Sequence, residues 1–229
     1  FDFLLNIAHG SDFMTDLIAR DPLLLDWLIE SEELMSPLRE HELRKDMADT
    51  DRSASDDLAF SRDCLRIKNV QKLRIGARDL VGLTGTLETF RELTRLAEII
   101  FESVYDRAYR QFFGIHPDLK GVLSFSVLAA GKLGAEQMDF GSDLDLIFIY
   151  EAPGTEKERL HIPEFAASLA HHILNILAGG GVYRVYEVDA RLRPEGGRSQ
   201  LAVSLAEYER YLSVRASIWE RLAMVRSRN

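Results

Sequence analysis

Residues 127–150 read VLAAGKLGAEQMDFGSDLDLIFIY. An apolar run, Val122 to Ala130 with serines at 124 and 126, ends in Gly131-Lys132. A small, polar, turn-rich segment follows, then Gly141-Ser142-Asp143-Leu144-Asp145 leads straight into Leu146-Ile147-Phe148-Ile149-Tyr150. Residues i and i+2 of a strand share a face. Asp143 and Asp145 should therefore project together, with Leu144 and Leu146 on the other side. Two carboxylates about 7 Å apart along a strand repel unless something lies between them, and a shared divalent cation removes the conflict. Hard oxygen ligands favour Mg²⁺, which in such sites usually also holds substrate phosphates. The bland alternative is a solvated strand start with polar punctuation.

Strand, glycine turn, about ten residues, then Asp-apolar-Asp-apolar resembles the DNA polymerase β-like nucleotidyltransferases. The wording GKLGAEQMDFGSDLDLIFIY is similar to one family among them, the glutamine synthetase adenylyltransferases. A second block, Val188-Asp189-Ala190-Arg191-Leu192-Arg193-Pro194-Glu195-Gly196, resembles that family's "VD-x-RLRP-x-G" segment. Tyr208, Tyr211 and Trp219-Glu220-Arg221-Leu222-Ala223 match its Tyr-rich and "WE-x-x-A" helices. Leu73 to Gly82 and Leu96-Ala97-Glu98 also look like the family, so the resemblance extends over most of the chain. It implies ATP as substrate, Mg²⁺ as cofactor, a tyrosine hydroxyl of glutamine synthetase as acceptor and the PII protein as regulatory partner. Family members are long, with two related catalytic halves. Neither Phe1 nor Asn229 looks like a natural terminus, so a fragment covering one half, or part of one, is expected.

The rest of the chain fits an α+β fold: a small mixed β-sheet of nucleotidyltransferase type with flanking helices, preceded by a mainly helical subdomain. The division falls at 1–119 and 120–229. Residues 1–47 read as short helices, with Leu4, Leu5, Ile7 and Ala8 first and a helix start at Asp21-Pro22 before Leu23 to Leu28. Asp46 to Asp57 is acidic and small, which predicts a connector that supplies an N-cap. Asp57 to Leu80 and a segment from Thr84 or Thr86 to about Gly114 carry helical periodicity. Arg62, Arg66, Lys68, Lys72, Arg74 and Arg78 make the first of these basic, either as a solvated face or as a stripe facing the cleft or the target protein. Strands are predicted over 122–130, 144–150 and 183–190, with a short one at 201–204. A Pro153-Gly154 turn, a helix over 163–177 stopped by Gly179-Gly180-Gly181, and two closing helices complete the reading.

Charge and composition narrow the function. The net charge is −9, and residues 1–50 hold 12 acids against 4 bases. An acidic chain is a poor candidate for gripping a nucleic-acid backbone, so the expected partner is a protein. No apolar run approaches the ~18 residues of a membrane span, and no signal peptide is visible. The single cysteine, Cys64, suits a reducing cytoplasm and an inert thiol. Six histidines are scattered, and adjacent His171-His172 cannot easily share a metal on a helix, so no zinc site is assigned.

For in-line transfer, Asp143 and Asp145 would bridge two metals. A third carboxylate is needed from a neighbouring strand. Glu187 and Asp189 share a face there, and the resemblance favours Asp189, which could also help deprotonate the incoming hydroxyl; the competing reading pairs it with Arg191 or Arg193. Gly131 forms the first turn, and Lys132 beside it adds a charge toward the phosphates. Gly141 and Ser142 would let backbone N–H groups approach the triphosphate. Arg191 or Arg193 could clamp phosphate, with a structural role equally open to one of them. Trp219 and Glu220 read as packing and capping features of the last helix. Three rivals stand: the half that removes AMP by phosphorolysis, another member of the superfamily, and a degenerate domain that only binds a partner and senses nucleotide.

Overall fold

A computed structural model describes residues 10–24, 36–152 and 161–229; at Arg198 and Trp219 it describes the backbone. The elements are α1 (Asp12–Arg20), α2 (Glu40–Ser53), α3 (Asp57–Leu80), α4 (Thr86–Ile115), β1 (Ser124–Ala129), α5 (Gly131–Gly134), β2 (Leu144–Glu151), α6 (Ile162–Ala178), β3 (Val188–Asp189), β4 (Ala202–Ser204), α7 (Leu205–Val214) and α8 (Ile218–Met224). The α+β expectation holds. The segments 1–9 and 25–28, and the Pro153-Gly154 turn, lie outside the described residues.

β2 is the centre of the sheet. β1 pairs with it antiparallel, with Ser124 opposite Glu151 and Ala129 opposite Leu146. On its other edge two short parallel strands follow one another, β3 beside Leu144 and Asp145 and β4 beside Phe148 to Tyr150. The alternation of β2 divides the core in two. Leu144, Leu146 and Phe148 join the main cluster with Phe60, Leu96, Ile100, Ala166 and Ile173 from the helices. Ile147 and Ile149 join a second cluster with Val203 and Tyr208 under α7. Asp143 and Asp145 are on the odd-numbered face too, at the start of β2 where it changes from apolar to carboxylate.

Local chemistry sets the helix ends. Asp56 accepts a hydrogen bond from Ala59 N at 2.8 Å and caps α3. Gly179 takes φ +52°, a left-handed value that a glycine adopts without a Cβ penalty, and ends α6. Ser217 and Glu220 form a capping box at the start of α8, and Glu220 Oε1 also accepts from Tyr211 Oη at 2.5 Å. That bears out the capping reading of Glu220.

Three expectations are corrected. The acidic segment 46–57 is not a connector up to its cap. Residues 46–53 are the second half of α2, because Leu43 and Met47 bury one face while Asp51 pairs with Arg107 of α4 at 3.0 Å. The third strand is two residues long rather than eight. Val185 N donates to Leu177 O at 2.8 Å, at the end of α6, so the preceding chain is drawn to the helix instead of to β2. The basic helix is not a solvated face throughout. Arg62 and Arg66 are exposed, but Lys72, Arg74 and Arg78 are buried, because α3 is packed on two sides: by α1, and by α4 and α6. Arg78 is compensated by Glu92 at 2.5 Å.

Candidate active site

The two specific sequence blocks meet at the start of β2. Asp145 is the direct neighbour of Asp189 in the parallel pairing of β2 with β3. Leu144 N donates to Glu187 O at 2.9 Å, which fixes that register. Asp143 precedes the strand by one residue and is exposed; Asp145 and Asp189 are half-buried. The carboxyl of Asp145 is pushed up from its ordinary range, first by burial and then by the charges of Asp143 and Asp189. Negative charge therefore gathers at one point, only partly offset by Arg191 and Lys132, and a cation there relieves the rest.

Asp189 moves the other way. Arg191 Nε bonds both of its carboxylate oxygens, at 2.9 and 3.0 Å, Arg191 Nη2 adds a bond of 2.5 Å, and the backbone N–H of Arg191 closes the turn at 2.8 Å. These bonds hold the Asp189 carboxyl below its usual range. Among the described residues no three His, Cys, Asp or Glu side chains converge as a finished metal centre. The donor chemistry nevertheless suits a hard divalent cation at Asp143 and Asp145, with Asp189 available once the exposed Arg191 side chain swings away.

Gly131 is required by the site itself. It adopts φ +54°, and a Cβ there would lie 1.9 Å from Asp145 Oδ2. The turn thus brings bare backbone against the carboxylate, and Ala130 N donates to Asp145 O at 2.9 Å. Lys132, next in sequence, is exposed and pairs with Asp139 at 2.7 Å; the charges of Asp143 and Asp145 add to the pull that raises its pKa.

The Gly141-Ser142 turn is closed on itself. Gly141 N donates to Asp139 Oδ1 at 3.0 Å and Ser142 N to Asp139 O at 3.3 Å. The buried Ser142 hydroxyl donates to Asp139 Oδ1 and accepts from Asp139 N, both at 2.9 Å. These N–H groups shape the approach to Asp143 and are already bonded within the turn. Of the two arginines, Arg191 is at the site. Arg193 is turned to backbone instead, donating to Ala190 O and, at 3.5 Å, to Ser199 O, which is the structural alternative. Glu187 is exposed and paired with Arg184 at 2.5 Å. Sequence reading missed Asp139, the hub of the turn; its place seven residues after Lys132 was the available signal.

All of residues 1–229 match the family described as glutamate-ammonia ligase adenylyltransferase. The chain belongs to that family. Curated relatives named bifunctional glutamine synthetase adenylyltransferase/adenylyl-removing enzyme agree. They include proteins of Thioalkalivibrio sulfidiphilus, 30% identical over 240 residues, and Shewanella oneidensis, 34% identical over 248 residues. Each alignment covers 98% of this chain and 25% of the relative. A relative from Alteromonas mediterranea is 34% identical over 244 residues, with 98% of this chain and 24% of its own length aligned. The chain thus spans about a quarter of the length of these relatives.

Proposed function

We propose that this chain is the nucleotidyl-transfer domain of an enzyme that moves AMP from ATP to a tyrosine hydroxyl of glutamine synthetase. The observation that carries the reading is the pairing of Asp145 with Asp189 on adjacent parallel strands, with Asp143 one residue before the first of them. In the reaction the tyrosine oxygen bonds to the α-phosphorus of ATP, the bond from that phosphorus to the α–β bridging oxygen breaks, and pyrophosphate leaves. Such transfers depend on positioning and charge stabilisation more than on covalent chemistry from the protein.

Asp143, Asp145 and Asp189 would hold Mg²⁺, which when bound offsets the charge of the triphosphate and the carboxylates. Asp189 would accept the phenolic proton of the incoming tyrosine once Arg191 has released it. The freed Arg191 guanidinium then faces phosphate oxygens, for which its planar fork is suited. Lys132 adds positive charge on the opposite side, from the Gly131 turn. The Gly131 turn keeps a side chain out of the space beside Asp145.

The relatives' names carry both adenylylation and adenylyl removal. The same carboxylates could serve phosphorolysis, in which inorganic phosphate attacks the AMP phosphorus and ADP leaves with the tyrosine hydroxyl restored. A cytoplasmic setting and control through a PII protein belong to this proposal as well. Among the described residues no helix is long and apolar enough to cross a membrane.

Calorimetry of ATP binding with and without Mg²⁺ on this chain tests the site. Binding should depend on metal and be lost in Asp143→Asn/Asp145→Asn; equal binding in both proteins would sink the role given to these aspartates. With glutamine synthetase and α-labelled ATP, the expected outcome is label transfer reduced at least about 10²-fold in either single variant. Label released as ADP from adenylylated glutamine synthetase would reverse the assigned direction.

A further inference from the structure

We propose that Lys68 and Lys72, one turn apart on α3, are positioning residues for the carboxylate site, each Nζ holding the segment that leads into one of its two arms. The proposal rests on the nucleotidyl-transfer reading of Asp143, Asp145 and Asp189. Lys72 Nζ donates to Phe140 O at 2.6 Å, inside the Asp139–Ser142 turn and three residues before Asp143. Lys68 Nζ donates to Val185 O, four residues before Asp189. An i, i+4 spacing puts both amino groups on one helix face. The ring of Tyr186 lies against them, its centroid 4.8 Å from Lys68 Nζ and 5.6 Å from Lys72 Nζ.

The arrangement answers a problem set by the sheet. β3 contributes two residues, Val188 and Asp189, and so short a ladder holds its own place poorly. Asp189 must still face Asp145, so its approach has to be anchored from outside the ladder. Val185 supplies that anchor twice, through its N–H to Leu177 O and through its carbonyl to Lys68. The opposite arm is a turn bonded within itself and to the exposed Lys132 through Asp139, and Lys72 ties it to α3. An apolar side chain of similar length would fill the space and satisfy neither carbonyl. Lysines in an interior, where a charge is costly, are accounted for by these two bonds.

The test compares the full 229-residue chain with Lys68→Met, Lys72→Met, Lys68→Arg and Lys72→Arg, with Asp143→Asn as a site control. Two readouts are used: Mn²⁺ affinity by electron spin resonance, and amide hydrogen exchange. Lys72→Met should accelerate exchange at residues 139–145 and Lys68→Met at 185–189, each leaving the other segment protected. Each should weaken Mn²⁺ binding at least 5-fold. The arginine variants, which keep a donor on a long stem, should recover most of both, and they decide the matter should a methionine variant fail to fold. Folded methionine variants with unchanged affinity and unchanged exchange would overturn the proposal. So would acceleration spread evenly over the chain, which marks a general stabilising role. Mn²⁺ binding that survives in Asp143→Asn would instead overturn the functional reading, and the segment-specific exchange would still decide whether these lysines hold the two arms.

Discussion

Gly131 shows how one missing side chain governs the candidate site. Its φ of +54° is costly for other residues, and a Cβ would fall 1.9 Å from Asp145 Oδ2. Gly131→Ala should therefore cost at least about 1 kcal/mol of stability and displace the Asp145 carboxylate. Urea unfolding reads the first effect and Mg²⁺-dependent ATP binding the second; a variant unchanged in both would show that the turn relaxes freely. At the same scale, Asp143, Asp145 and Asp189 were legible from sequence because alternation and a specific block marked them. The division of labour between Arg191 and Arg193 was not legible. They stand two apart in one segment, and only the fold turns one to a carboxylate and the other to carbonyl oxygens.

At the scale of elements, α3 carries the largest departure from its sequence pattern. Its N-cap, length and end were readable, yet half of its basic residues are buried, because periodicity on one helix does not reveal how many neighbours cover it. Burial pulls Lys68 down to about 7, with Lys72 adding repulsion, and Lys72 down to about 8, with Asp139 opposing the shift. Their carbonyl partners and the Tyr186 ring favour the charged form, and withdrawal from water outweighs them. A lysine whose folded pKa lies below its unfolded value leaves the unfolded chain with more bound protons between the two values. Stability then rises with pH across that window and is lost as pH falls through about 8 and 7. The midpoint of urea unfolding should climb between pH 7 and 9 in this protein, and the climb should flatten in Lys68→Met/Lys72→Met. A flat profile in the parent would mean that both amines keep their charge in the folded state. α2 and β3 teach a related lesson: an acidic segment folded as a helix because partners waited on α4, and a strand-like run stayed irregular because Val185 bonds to α6 and α3 instead of to β2.

For the molecule as a whole, the main core runs from Leu43 to Ala202 and joins α2, α3, α4 and α6 to the sheet. Phe148 stands at its centre, fully buried and stacked on Phe125 with ring centroids 6.1 Å apart. Phe148→Ala should cost about 3–5 kcal/mol and loosen the strand that carries Asp145. The check is a thermal melt together with Mg²⁺-dependent ATP binding; loss of binding without loss of stability would point to a local effect instead. The helical front at 1–119 and the core at 120–229 remain a proposed division.

Alternation along 144–150, the glycine turn and the Asp-x-Arg-Leu-Arg-Pro block determined, by themselves, an α+β chain with carboxylates at a strand start. Those signals are local: periods of two and 3.6 residues, turn chemistry, and motifs of fixed spacing. Tertiary structure alone decided that Asp189 is the register neighbour of Asp145, that Arg191 rather than Arg193 reaches the site, and that Lys68 and Lys72 are anchors instead of a solvated face. Each of these depends on which distant segment supplies the hydrogen-bond partner or excludes the water. That choice is made by packing among elements 40 to 120 residues apart, as in Lys72 with Phe140 and Lys68 with Val185.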